Sequence, residues 1–267
     1  MSIVLATTFN PRGETGRLQK LWPQIRSLYS EIIISLPPSL ALEDAMAMRT
    51  LEGARIHVNS DWTHGRYMAL KLAQETDASY VHYVDMDRLL RWLETQPDEL
   101  KSTIERVKTC ECLVIGRTEG AWETHPTSMR QTEAISNGLF SRLLGQPLDL
   151  SAGSKGFSRA ALDCLMANTQ AGRAIGADSE WVVICQRAGF KVESLLVDGL
   201  DWEIADRFQE TAADAQRQQQ VRDEYDSDAE NWAHRVRIAH EIIEAGMDAL
   251  ERPNLNLRTS DEKEKIS

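Results

Sequence analysis

Cysteine is scarce: four residues in a chain of 267, at 110, 112, 164 and 185, with no C-x-x-C spacing. That excludes a disulfide framework and a zinc ribbon, and it fits a reducing compartment. Basic residues are in deficit, 30 Lys plus Arg against 41 Asp plus Glu, for a formal charge of −11. Such a field repels a phosphate backbone, which excludes general nucleic-acid binding but leaves room for a small phosphorylated ligand in a local basic pocket. Apolar runs are short as well. None approaches the roughly 20 residues that cross a bilayer. Met1 to Ala6 has no basic leader, so it reads as a first strand and not as a signal peptide. The expectation is a cytoplasmic protein without an integral membrane segment. What remains, 42% hydrophobic and 27% charged residues, is the composition of an ordinary globular chain.

Apolar runs of strand length alternate with helical patterns through the first two-thirds, which predicts an α/β fold with a mainly parallel central sheet flanked by helices. Strands are expected at Ile3 to Thr8, Glu31 to Ser35, Arg55 to Asn59, Tyr80 to Asp85, Cys112 to Arg117 and Lys191 to Val197. Helices are expected at about 16–30, 40–52, 64–76, 97–108, 130–144 and 178–188, the first on the spacing of Leu18, Leu21, Trp22, Ile25 and Leu28. Trp22, Trp92 and Trp181 fall at helical spacing and are expected in the core. The organisation expected is a sheet domain over 1–200, a helical C-terminal extension over 201–251, and a disordered, charged tail over 252–267. Trp232, Val236, Ile238, Ile242 and Ile243 are the extension's core candidates, packed over the sheet domain or against a second subunit.

The sharpest local feature is Ser79-Tyr-Val-His-Tyr-Val-Asp85-Met-Asp87-Arg88, a strand running into two aspartates one residue apart. In an open parallel sheet the ligand crevice lies beyond the carboxyl ends of the strands. Carboxylates at i and i+2 there can reach one hard cation, Mg2+ or Mn2+, leaving positions for water and a diphosphate. The alternative is that they cap the following helix and face solvent.

Taken in order, these motifs resemble the glycosyltransferases of the GT-A fold, a Rossmann-like nucleotide-diphospho-sugar transferase architecture, over roughly residues 1 to 200. The resemblance implies that Thr7, Thr8, Asn10 and Arg12, in the polar segment where the first strand ends, serve the nucleotide. It also puts Arg66, in Gly65-Arg66, near the diphosphate, and makes Asp85-Met86-Asp87 the metal-binding Asp-x-Asp, with Asp85 also close to the donor. Ser151-Ala-Gly153-Ser-Lys155-Gly156-Phe-Ser-Arg159 resembles the acceptor-side strand, so Gly153 and Lys155 become acceptor candidates. Asp178, opening a helix, becomes the candidate acceptor-activating base; an acid favoured by the helix dipole is its alternative. Two departures stand out. The second strand ends in Ser35-Leu36-Pro37-Pro38, without the aspartate that often holds a uracil ring. No histidine follows the last strand as a third metal ligand before His234, although Asp201 and Glu203 do.

The activity implied is transfer of a sugar from a nucleotide-diphosphate donor to a hydroxyl of a small, soluble, polar acceptor, the metal offsetting charge on the leaving diphosphate. Lys155 and Arg159 suit an acceptor bearing a carboxylate or phosphate. A nucleotidyltransferase of similar fold, or a catalytically silent nucleotide-binding module, remain the competing functions.

Overall fold

The computed structural model describes residues 1–253 and 255, so most of the tail expected over 252–267 lies outside the described residues. The chain begins β1 (Ile3–Thr8), α1 (Thr15–Leu28), β2 (Glu31–Leu36), α2 (Leu42–Met48), β3 (Ala54–Val58), α3 (Gly65–Gln74) and β4 (Tyr80–Val84). It continues through α4 (Met86–Thr95), α5 (Pro97–Val107), β5 (Cys112–Arg117), α6 (Glu119–Glu123) and α7 (Thr127–Leu143). The remainder is β6 (Ser154–Ser158), α8 (Arg159–Asn168), α9 (Ala177–Arg187), β7 (Val192–Val197), α10 (Ala215–Ser227) and α11 (Ala229–Glu251).

The seven strands form one sheet in the order β3-β2-β1-β4-β6-β5-β7. All neighbours are parallel except β6, which runs antiparallel to both β4 and β5. The expected mainly parallel α/β architecture is therefore present. Period-2 alternation divides each central strand between two cores. In β1, Val4 and Ala6 join a core with α3, α7, α8, α9 and α11, while Ile3 and Leu5 join one with α1, α4 and α5 on the other face. Trp22, Trp92 and Trp181 are all buried, as their spacing predicts.

Several elements depart from the sequence reading, α6 and α8 among them, which lie outside the expected helix ranges. α4 opens directly on Asp85 as its N-cap residue; it is the helix of the alternative reading of the two aspartates and lies outside the helix ranges expected above. Along α11, Ile238, Ile242, Ala245 and Ala249 make the buried stripe against α9 and α7, which leaves Val236 off that stripe and 57% exposed. Val236 is thus no core residue: it stands two positions from Ile238, where a 3.6-residue period turns it toward solvent.

Candidate active site

The order β3-β2-β1-β4 reverses direction at β1, whose neighbours β2 and β4 are reached by connections leaving on opposite sides. Open α/β sheets carry their crevice at such a switch point. Here it is crossed by a hydrogen bond. Thr8 Oγ1, at the end of β1, donates to Asp85 Oδ1 at the end of β4 over 2.8 Å. A cavity of about 290 Å³ opens above them, with the ends of β1 to β4 as its floor and α11 contributing Arg235, Ile238 and Ile242 to its wall.

Asp85 is heavily engaged. Its Oδ1 also accepts from the Tyr83 hydroxyl at 2.6 Å, and its Oδ2 accepts from Arg66 Nη2 at 2.9 Å. Arg66 reaches in the other direction to Asp178, with Nη1 2.9 Å from Oδ2. That second contact is a close ion pair whose N–H is not aimed along the line of approach. The Arg66 guanidinium also lies over the Tyr83 ring, 5.6 Å from its centroid. Asp178 is completed by Lys155, whose Nζ donates to its Oδ1 over 2.7 Å and to Leu150 O over 3.0 Å. Burial pushes the Asp178 carboxyl upward, but the charges of Arg66 and Lys155 outweigh it and hold the group below its ordinary range.

Asp87 has the opposite character. Among the described residues its one hydrogen-bond donor is the adjacent Arg88 N–H, at 3.0 Å. Burial, then the charges of Glu203 and Asp85, push its carboxyl up to about 7. Glu203 is buried, lines the same cavity, and leaves its Oε2 without a partner; its nearest cation is Arg88, 3.8 Å from Oε1. A half-buried and a buried carboxylate that repel each other, one with an orphaned oxygen, have the donor chemistry of a divalent-cation site. Among the described residues no cluster of three or more Asp, Glu, His or Cys donors could hold a metal by itself. The fit is therefore to a cation held by two carboxylates and completed by substrate oxygens and water, which is the usual habit of Mg2+. Asp201, the other acid considered after the last strand, is clamped by Arg91 at 2.7 and 2.6 Å and does not line the cavity.

Of the residues expected at the site, Thr8, Asn10, Arg66, Asp85, Asp87 and Asp178 line the cavity together. Thr7 does not, because it lies fully buried within β1, paired with Ile34 of β2. Arg12 is exposed and off the lining; what its backbone N–H meets is Glu14. Lys155 and Gly153 need correcting as acceptor contacts. Lys155 is fully buried and its ammonium is spent on Asp178 and Leu150. Gly153 lies under the aspartate: its φ of +70° suits glycine, and a Cβ there would stand 2.8 Å from Asp85 Oδ2. Arg159 is turned away as well, to Asp163 and Thr76 O. Sequence reasoning did not assign Arg88, Glu133 and Arg235 to the site, although all three line the cavity. Glu133 is bridged by Arg117 and Arg235, from β5 and α11. No local motif announces that union, since its members are spread over more than a hundred residues.

A mainly parallel sheet with one antiparallel strand beside β4, and an Asp-x-Asp at the end of β4 under a cavity at the switch point, define the GT-A fold. Among solved structures the chain is similar to glucosyl-3-phosphoglycerate synthase from Mycobacterium tuberculosis in complex with Mn2+, uridine-diphosphate-glucose and phosphoglyceric acid. Identity is 12%, the match covers 95% of this chain and 81% of that one, and the TM-score is 0.56. The same enzyme with Mn2+, uridine-diphosphate-glucose and glycerol 3-phosphate matches at 13% identity over 97% and 82% of the two chains, with a TM-score of 0.53. A further mycobacterial protein matches at 13% identity over 95% and 76%, with a TM-score of 0.56. At these identities the likeness is one of fold. No protein-family model and no curated protein matches the chain. Among the described residues no helix is long and apolar enough to cross a membrane.

Proposed function

We propose that the protein is a metal-dependent glycosyltransferase that moves a sugar from a nucleotide-diphosphate donor to a hydroxyl of a small polar acceptor. The observation that carries this reading is the pair Asp87 and Glu203, a half-buried carboxylate in the first turn of α4 and a buried one beyond β7, both lining one cavity with Glu203 Oε2 unpartnered. Similar structures that hold Mn2+ with a uridine-diphosphate sugar support it.

Asp87 and Glu203 would hold Mg2+ or Mn2+, and the bound cation would supply Lewis-acid neutralisation of charge growing on the leaving diphosphate. The other residues act by position. Asp85, fixed by Thr8, Tyr83 and Arg66, presents a rigid edge to the donor. Arg66, held between Asp85 and Asp178, keeps a fixed positive charge at the cavity wall, where it needs no reorganisation as the diphosphate departs. Asp178 was expected to take the acceptor's proton; with both oxygens committed to cations and its basicity depressed, it is better equipped to orient Arg66. Acceptor contacts then fall to the α11 side of the cavity, to Arg235 and Ile238, in place of Lys155 and Gly153.

The direct test is a thermal-shift panel of nucleotide sugars with and without Mn2+. A ligand that binds only the folded protein raises its apparent stability, by about 2.7 kcal/mol at a hundredfold excess over Kd. We expect at least one nucleotide sugar to stabilise the protein only with the cation present. A panel in which neither nucleotides nor Mn2+ move the transition would sink the proposal.

A further inference from the structure

α7 and α11 lie side by side and run in the same direction, since Glu133 pairs with Arg235 at one point and Phe140 packs on Gly246 further along both helices. Their inner faces are spent on the sheet domain and on each other. Outside the line where they meet, apolar side chains remain that nothing among the described residues covers. Ile135, Leu139 and Leu143 stand at every fourth position of α7, and Val236, Ile243 and Met247 follow the adjoining flank of α11. Ile135 is 62% exposed and Leu143 46%; with Val236 they stand out into solvent, while the other three are half-buried. At 3.6 residues per turn each set falls on the flank of its helix next to the other helix, so the six form one strip over the groove between them. Leu139 and Ile243 tie that strip to the core beneath.

Gly138 lies exposed in the middle of α7, where a Cβ would meet nothing within 4 Å. A glycine inside a helix costs about 1 kcal/mol relative to alanine, and no packing within the chain requires it here. Close approach by another molecule would. Contiguous apolar surface of this kind marks a docking face.

Charge decides what docks. On the solvent side of α11, beside the strip, Arg237 and His240 come first and Glu244 and Glu251 follow, all four exposed. The helix is therefore basic, then acidic. Laid on a reversed copy of itself, it sets each half against its opposite. The midpoint between Arg237 and Glu244 falls within the apolar strip, so the axis that pairs these two charges also brings Val236 of one copy near the turn from Ile243 to Met247 of the other. α11 has 23 residues and is about 34 Å long. Together with the shorter α7 it presents a face of roughly 600–700 Å², close to the ~800 Å² per partner of a stable interface.

We infer that this strip is a homodimer interface, in which the α7 and α11 pairs of two copies pack antiparallel about a two-fold axis running across the helices. Such an interface is self-complementary, so the contact of Arg237 with Glu244 of the second copy occurs twice. It also bears on the cavity. The inner side of α11 carries Arg235, Ile238 and Ile242 into the cavity wall, and the second copy braces that helix from outside.

Sedimentation velocity of the full chain over roughly 1–100 μM, in about 0.15 M salt to screen the overall negative charge, tests this. The wild type should reach a mass about twice the 30.1 kDa of one chain. Val236→Glu puts a charge into the strip at a position already exposed in the monomer, and it should raise the dimer Kd at least about tenfold. Ile135→Glu should do the same from α7, whereas Leu42→Glu, at an exposed apolar residue of α2, should not. Arg237→Glu should weaken the dimer about threefold or more, and adding Glu244→Arg should restore it, because the reversed pair again matches. A wild type that stays monomeric throughout, or a dimer untouched by both Val236→Glu and Ile135→Glu, would overturn the interface. Failure of Glu244→Arg to rescue Arg237→Glu would overturn the antiparallel arrangement.

Discussion

Arg66 Nη1 lies 2.9 Å from Asp178 Oδ2, joining the opening turn of α3 to the opening turn of α9 across the floor of the cavity. Both side chains are buried, and each has a second partner of opposite charge, Asp85 for the arginine and Lys155 for the aspartate. The result is an alternating row, Asp85, Arg66, Asp178, Lys155, in which removing Arg66 leaves Asp85 without a cation and removing Asp178 leaves Lys155 without a carboxylate. This row sets what individual substitutions should do.

Lys155→Met should destabilise the protein by about 1–3 kcal/mol, the cost of a lost hydrogen bond to a buried charge that keeps Arg66 as its remaining partner. Chemical denaturation measures it. A Lys155→Met, Asp178→Leu double variant should be less destabilised than the two single changes added together. Simple additivity would mean that the two groups do not interact.

Asp178→Asn should lower kcat by about tenfold or more through loosened Arg66, since positioning errors near the reacting atoms are costly. The acid limb of the pH–rate profile should keep its midpoint. Disappearance of that limb in the variant would instead make Asp178 the proton acceptor.

Asp87→Ala and Glu203→Gln should each abolish or weaken Mn2+-dependent nucleotide binding by about tenfold or more while leaving the fold intact, because neither carboxylate supports its neighbours through an aligned side-chain hydrogen bond. Asp201→Asn should not, as that carboxylate serves Arg91. Calorimetry with UDP and Mn2+ separates the three. Wild-type binding in Asp87→Ala would remove the proposed cation site.

The sequence reading reached this site through its local features and missed what is assembled from a distance. β1 and β5 match their expected limits because Ile3 to Ala6 and Cys112 to Ile115 are continuous apolar runs buried on both faces. β6 carries no such signal. It reads Ser-Lys-Gly-Phe-Ser in the middle of the sheet, since Lys155 is buried against a charge and Gly156 lies under Val107. α4 hides for a similar reason: Arg88 and Arg91 look like solvent-facing residues, yet both are buried, meeting Ala152 O and the acids Asp201 and Asp206. Binary patterning fails wherever a buried charge is paired with another from a remote element.

Stability should fall in acid for a reason centred on His82. Its ring is fully buried, with Nδ1 2.8 Å from the Tyr29 hydroxyl and Nε2 3.0 Å from Ser154 Oγ, and burial lowers its pKa to about 3. An unfolded histidine titrates near 6.5. Between those values the unfolded chain binds a proton that the folded chain refuses, so stability is fully present above about pH 6.5 and declines as pH falls toward 3. The slope from this group approaches about 1.4 kcal/mol per pH unit. Urea unfolding of His82→Gln should show lower stability at neutral pH and a shallower loss in acid. An unchanged slope would exonerate His82.

Gly153→Ala should be disproportionately damaging for so small a change. The residue sits at a φ of +70°, and the added methyl would meet Asp85 Oδ2 at 2.8 Å. Backbone strain of about 1–2 kcal/mol then combines with displacement of the aspartate. A lowered Tm together with weakened nucleotide binding is expected; a change in neither would mean that Asp85 tolerates being moved.

The antiparallel strand β6 has a bearing on how the chain comes off the ribosome. Strands β3, β2, β1 and β4 hydrogen-bond among themselves, and β5 bonds to β7, but the two groups are bridged only by β6. Until Ser158 has been made, β4 has an open edge and β5 has no neighbour on that side. Exposed edges of this kind invite pairing with other chains. From the synthesis of Tyr80 until that of Val197, when β5 gains its second neighbour, these strands have unpaired edges, and slowing translation across that interval should raise the fraction that aggregates.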